Sequence, residues 1–108
     1  MPAPLRFATP AEAIAAINAE FGPHAESAWR FDRPLRLSSR EPGRVEFRAA
    51  TTVTMHFGSV RIDLATGETR FVDEDHRDGG DYEVKRTKLP ADWLAALRAV
   101  LKPDDEPR

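Results

Sequence analysis

The sequence predicts an α+β domain: an antiparallel meander of about five strands with an N-terminal and a C-terminal helix packed on one face, in the order α-β-β-β-β-β-α. Three observations carry this expectation. An apolar stripe of helical period follows capping chemistry between Thr9 and Phe21, and a second such stripe runs from Trp93 to Leu101. The stretch between them alternates apolar and polar residues with a period of two, interrupted by turn residues.

The first helix is expected over residues 10–21. Thr9-Pro10-Ala11-Glu12 matches a capping box with proline at the first helical position, Ile14, Ile17 and Phe21 share one side, and Gly22-Pro23 supplies the stop. Ser27 to Asp32 sets Trp29 and Phe31 against polar neighbours and reads as a half-buried strand that Pro34 ends or confines to an edge. Leu35 to Leu37 can continue as a short extended piece, and Glu41-Pro42-Gly43 has turn chemistry.

Val45, Phe47, Ala49, Thr51, Val53, Met55 and Phe57 then all fall at odd positions, with mostly polar residues between them. A strand over 44–57 with one solvated face is expected, bent or bulged near Ala49-Ala50 because it is long. Gly58-Ser59 is expected to reverse the chain, after which Val60, Ile62 and Leu64 carry the core face. Ala65-Thr66-Gly67-Glu68 forms a hairpin turn into a strand from Thr69 to Asp73. The run 73–81 is too polar and too glycine-rich for a strand, and alternation resumes at Tyr82, Val84 and Arg86. Pro90 opens the closing helix, Asp92 suits its positive end, Trp93, Leu94, Leu97, Val100 and Leu101 form its apolar stripe, and Lys102-Pro103 stops it. The organisation is thus one domain over 1–102 followed by a charged tail, 103–108, expected to be disordered.

At 108 residues one hydrophobic core is expected. The absence of cysteine excludes a disulfide, a thiolate nucleophile, a cysteine-ligated zinc and an iron–sulfur cluster. The N-terminal residues hold no apolar run of signal-peptide length and no 18 apolar residues follow one another, so no membrane partner and a cytoplasmic location are expected. A formal net charge of −2 argues against a strongly electrostatic partner. Arginine outnumbers lysine 13 to 3, a bias that GC-rich bacterial coding produces by itself, so the arginine count is no binding signal.

Among possible sites, Asp73, Glu74, Asp75, Asp78, Asp81 and Glu83 enclose only His76 and Arg77. Such carboxylates repel one another unless water, a cation or a basic partner relieves them. A calcium loop is excluded by spacing: counted from Asp73, Arg77 stands at the fifth position, Asp78 where glycine is needed and Val84 at the twelfth. A docking patch for a basic protein surface and a plainly solvated hairpin loop both remain. His24, His56 and His76 share no metal-binding spacing. The alternation places His56 on the polar sheet face with Thr54, near Arg61 and with Arg48 on the same face.

None of Ser27, Ser38, Ser39 and Ser59 has a nucleophile-elbow context, and Asp78-Gly79-Gly80-Asp81 is too acidic to cradle phosphate. Arg30, Arg33, Arg36, Arg40, Arg44 and Arg48 lie near Trp29 and Phe31, a mix that suits nucleic acid. Asp32, Glu41 and Glu46 dilute that charge and the two aromatics fall in the core phase, so nucleic acid is disfavoured as a partner. Val60-Arg61-Ile62-Asp63-Leu64-Ala65-Thr66-Gly67-Glu68 resembles the V-x-x-D-x-x-T-G-E turn of PepSY-type modules and of some bacterial immunity-type domains; it spans nine of 108 residues and assigns no family.

No catalytic residue, cofactor or metal is expected, and the reading leans away from an enzyme. The leading expectation is a small protein-binding module of bacterial or phage type, such as an inhibitor or immunity-type protein. It would dock through Asp73, Glu74, Asp75, Asp78 and Asp81 of the acidic loop, through Arg48, Thr54, His56 and Arg61 of the open sheet face, or through both. The alternatives are a ligand-binding domain or enzyme with a helix–sheet pocket near His56 and Arg61, and nucleic-acid binding through the Arg30 to Arg48 segment. A homodimer through a sheet edge is also open, since Pro34 protects at most one of two edges.

Overall fold

A computed structural model describes residues 5–23, 31 and 33–101. Its elements are α1 (Pro10–Phe21), β1 (Arg36–Glu41), β2 (Arg44–Ala50), β3 (His56–Asp63), β4 (Glu68–Asp75), β5 (Gly80–Lys88) and α2 (Ala91–Val100). The strands pair antiparallel in the order β1-β2-β3-β4-β5, so the fold is the α+β meander with a helix at each end. No helix among the described residues is long and apolar enough to cross a membrane.

The capping chemistry of α1 acts as its residue types require. Thr9 Oγ1 accepts the Glu12 amide at 3.1 Å, and the Glu12 carboxylate reaches back to the amide of Ala8. The stripe that follows buries Ala13, Ile14 and Ile17 completely. In α2, Ala96 and Leu97 face inward, and Trp93 meets Phe7 and Phe21 at ring centroid separations of 5.9 and 5.0 Å, joining the two helices. Arg98 Nε donates to the Leu64 carbonyl at 2.9 Å and ties α2 to the end of the β3–β4 hairpin. Beneath the helices lie Val45, Phe47 and Ala49 of β2, Val60 and Ile62 of β3 and Phe71 of β4, with Leu35 and Leu89 from the flanking segments. Burying these side chains at roughly 1.5–3 kcal/mol each is what holds helices and sheet together. No helix among the described residues covers the other sheet face.

Three expectations about the sheet are corrected. The strand expected over 44–57 is two strands. The ladder stops at Ala50, residues 52–55 turn, and β3 starts at His56. Thr51 fixes the turn, since its Oγ1 accepts the Val53 amide at 3.1 Å and shares its one proton between the carbonyls of His56 and Val53, while Met55 takes φ +64°. Val53 and Met55 are therefore exposed, and the odd-numbered apolar phase ran through a turn by coincidence of spacing. Gly58-Ser59 does not reverse the chain. Both lie inside β3, opposite Ala49 and Arg48.

The polar run 73–81 is mostly strand, with β4 continuing to Asp75, β5 starting at Gly80, and only His76–Gly79 turning. Asp75 makes that turn by accepting the amides of Arg77 and Asp78, each at 3.0 Å, with Gly79 at φ +79°. Among the described residues the sheet begins with Arg36–Glu41; of the strand expected over 27–32 only Phe31 is described, bridged to Thr51. Trp29, the remainder of that strand and the tail 103–108 lie outside the described residues.

Candidate functional site on the open sheet face

Because side chains alternate across a strand, the register that buries Val45, Phe47, Val60, Ile62 and Phe71 under the helices sends their neighbours to the opposite face. One cross-strand row there reads Ser39, Glu46, Arg61, Arg70, Arg86. The next reads Arg48, Ser59, Val72, Glu83, and the one beyond it Ala50, Phe57, Glu74, Asp81. Three arginines directly opposite one another repel, and a sheet tolerates them only when carboxylates stand between. That is the arrangement found.

Arg61 Nη2 reaches Glu74 at 3.2 Å and Asp81 at 3.1 Å, with its Nε 3.8 Å from Glu46. Arg70 Nε donates to Glu83 at 2.7 Å, and Arg86 bridges Glu83 at 2.8 Å and Glu68 at 3.4 Å. At the centre of the second group, the carboxyl of Glu83 is held down to about 2, first by the hydrogen bonds from Arg86 and then by that from Arg70.

Glu74 is the buried anchor of the first group, at 5% exposure. It accepts from Arg48 Nη2 at 2.9 Å and Arg61 Nη2 at 3.2 Å, with His76 Nε2 at 3.0 Å. Burial alone would raise its pKa. The bond to His76, the charge of Arg48 and the bond from Arg61 together outweigh burial and hold it below the usual carboxylate range. Glu46 goes the other way: its own burial, with the nearby Glu74 carboxylate adding to it, pushes its carboxyl up against the opposing pull of Arg61. The Arg48 guanidinium also lies 4.8 Å from the ring centre of Phe57, which packs against the His76 ring at 4.8 Å.

Along the arginine row the twisted sheet forms an open depression of about 470 Å³. Four arginines line it, Arg44, Arg61, Arg70 and Arg86, with four carboxylates, Glu41, Glu46, Asp63 and Glu68. The two signs balance, so the depression offers paired donors and acceptors and no net field for a bare anion or cation. Among the described residues, no group of three or more histidine, cysteine, aspartate or glutamate side chains is placed to hold a metal ion.

The residues singled out from sequence divide between the two faces. Arg48, Arg61, Glu74 and Asp81 converge on the open face. His56 does not join them. It shares the parity of Val60 and Ile62 and lies on the helix side, with Nδ1 3.0 Å from Asp73 Oδ1 and Nε2 3.6 Å from Asp75 Oδ1. His56 and Arg61 thus occupy opposite faces and share no pocket. Thr54 is exposed in the 52–55 turn, and Asp78 is exposed in the hairpin turn. Asp75 is nearly buried, and the Asp78 amide, then that of Arg77, holds its carboxyl below the usual range.

The arginines proposed for nucleic acid also split. Arg36, Arg44 and Arg48 have the parity of the open face, and Arg40, opposite Val45, has that of the helix side. Glu68, Arg70 and Arg86 complete the site without having been singled out, and Glu46 and Glu83, noted only for their charge, join them. Their signal is the even-numbered alternation of Glu68, Arg70, Val72 and Glu74 against Thr69, Phe71 and Asp73, legible once β4 is seen to run to Asp75. In comparisons with known proteins, no family model matches this chain, and no curated protein or solved structure matches it either.

Proposed function

We propose that this domain is a non-enzymatic protein-binding module, of the kind to which small inhibitor and immunity-type proteins belong, and that its docking surface is the open sheet face. One observation carries the reading: a five-stranded sheet with both helices on one side presents the other side as a rigid surface whose charged side chains are already held in place. Ordering those long side chains beforehand lowers the entropy lost on association, and interleaved charges confer register and selectivity. The fitting partner is a protein surface of mixed charge that sets carboxylates against Arg44, Arg61 and Arg70 and basic groups against Glu41, Glu46 and Glu68. The acidic-loop version has less support, because Asp73, Glu74, Asp75 and Asp81 are engaged by His56, Arg48, Arg61 and backbone amides within the domain. Apolar side chains fill the space between helices and sheet, which counts against an enzyme pocket there.

The test is capture of a partner by the intact chain, compared with the double variant Arg44→Glu, Glu68→Lys, both of whose positions are well exposed. The expected result is a roughly tenfold or greater loss of affinity with only a small drop in melting temperature, since the pairs removed, to Glu41 and Arg86, are exposed ones. Partner capture at full strength by the double variant overturns the sheet-face reading.

A further inference from the structure

The edge strand β5 carries a charge pattern complementary to itself, and we propose that two copies of this chain pair there, antiparallel, into one continuous ten-stranded sheet about a two-fold axis between Val84 and Lys85. The strand places carboxylates in its first half, at Asp81 and Glu83, and cations in its second half, at Arg86 and Lys88. A strand of regular alternation would put Glu83 and Arg86 on opposite faces. The bulge at Val84, where Phe71 opposes Lys85 and Val72 opposes Glu83, brings both to the open face. Val84 and Lys85 consequently both take the helix side, Val84 packing on the core and Lys85 opposite buried Phe71.

Under the two-fold, Glu83 then meets Arg86 and Asp81 meets Lys88 of the second copy on the open face, while Tyr82 meets Thr87 on the helix side. Every pair forms twice, and each cross-strand pair of these kinds contributes roughly 0.2–1 kcal/mol. Other registers fail on the same geometry. Sliding the copies by two residues sets residues of opposite faces against each other, and centring the axis on Tyr82 or Thr87 opposes carboxylate to carboxylate or cation to cation. Tyr82 is 56% exposed in the single chain, a large aromatic surface for an edge strand to leave uncovered. Bulges and lysines commonly blunt an edge against indiscriminate pairing. Here they leave one register that satisfies face and charge together, which gives specificity for a second copy over an unrelated strand.

The experiment is sedimentation of the intact chain across micromolar to millimolar concentrations, for the native sequence and for Glu83→Lys, Arg86→Glu and an equimolar mixture of the two variants. The native chain is expected to show a monomer–dimer equilibrium. Each single variant is expected to weaken it about tenfold or more, because like charges then face each other at two symmetry-related places. The mixture is expected to recover dimer, since one variant's added charge faces the other's. Melting curves of the isolated variants separate lost pairing from lost folding, and Arg40→Glu on β1 serves as the control edge. A native chain that stays monomeric throughout, single variants that dimerise as well as the native chain, a mixture without recovery, or sensitivity confined to the β1 variant each overturns the proposal.

Discussion

At the scale of single residues, the open face depends on one buried carboxylate. Glu74 is nearly inaccessible, yet it lies below the usual carboxylate range because two guanidinium groups and an imidazole surround it. Removing the acceptor leaves Arg48 partly desolvated without its carboxylate and Arg61 with only Asp81 and the more distant Glu46, and an unsatisfied donor costs more than a formed bond contributes. Glu74→Ala is therefore expected to destabilise the domain by about 2 kcal/mol, read from urea denaturation. Glu74→Gln, which keeps the acceptor oxygen and loses the charge, should cost less. Equal losses in the two variants would mean that packing and not charge holds the cluster. The residue scale is also where sequence reading fell short. That Asp73, Glu74 and Asp81 are acidic is plain from the sequence, but each is satisfied by a residue on a different element, and no local spacing encodes that.

At the scale of elements, what was legible followed from how far each signal reaches along the chain. The bounds of α1 were readable because Thr9, Pro10, Glu12 and Gly22 act within a single turn of the residues they cap. The β3–β4 turn was readable for the same reason, Gly67 taking φ +85° between strands of clear alternation. The break between β2 and β3 was not, because Thr51 looks like an ordinary strand residue until its hydroxyl is seen to tie the turn together, and Met55 is not a residue type that announces positive φ. Gly67 affords a direct check on this scale. An added Cβ would meet the Leu89 carbonyl at 3.2 Å as well as bearing the left-handed backbone, and the Gly67 amide and carbonyl already bond Asp63 and Leu89. Gly67→Ala is expected to cost about 1–2 kcal/mol, measured by thermal denaturation. Loss of helical signal at 222 nm before the sheet melts in that variant would show that the hairpin end is also what seats α2, through Leu94 and Arg98.

At the scale of the whole molecule, the ion-pair network makes folding stability depend on acid in a defined direction. Glu74, Asp75 and Glu83 all titrate below their ordinary values in the folded chain. A carboxyl that ionises more readily when folded stabilises the fold above its unfolded pKa, about 4, and that contribution disappears as pH falls through the folded value. Glu46 has the opposite sign: raised in the fold, it favours the folded state when protonated, and its contribution is lost as pH rises through its folded value. Three groups oppose one, so the melting temperature is expected to fall as pH is lowered from about 5 toward 2, the window between the unfolded values and the folded value of about 2 for Glu83. Because Glu83 titrates near the ordinary carboxylate value when unfolded and at about 2 when folded, it contributes across the whole of that window, and Glu83→Gln should flatten the curve from about pH 5 down to 2. A native curve that rises on acidification would show that Glu46 dominates, and an unaltered curve in the variant would show that Arg70 and Arg86 contribute no net stability through Glu83. Since the same pairs hold the open face in order, acid that melts them should weaken the docking proposed for that face, read by partner capture across pH, before it unfolds the core beneath the helices.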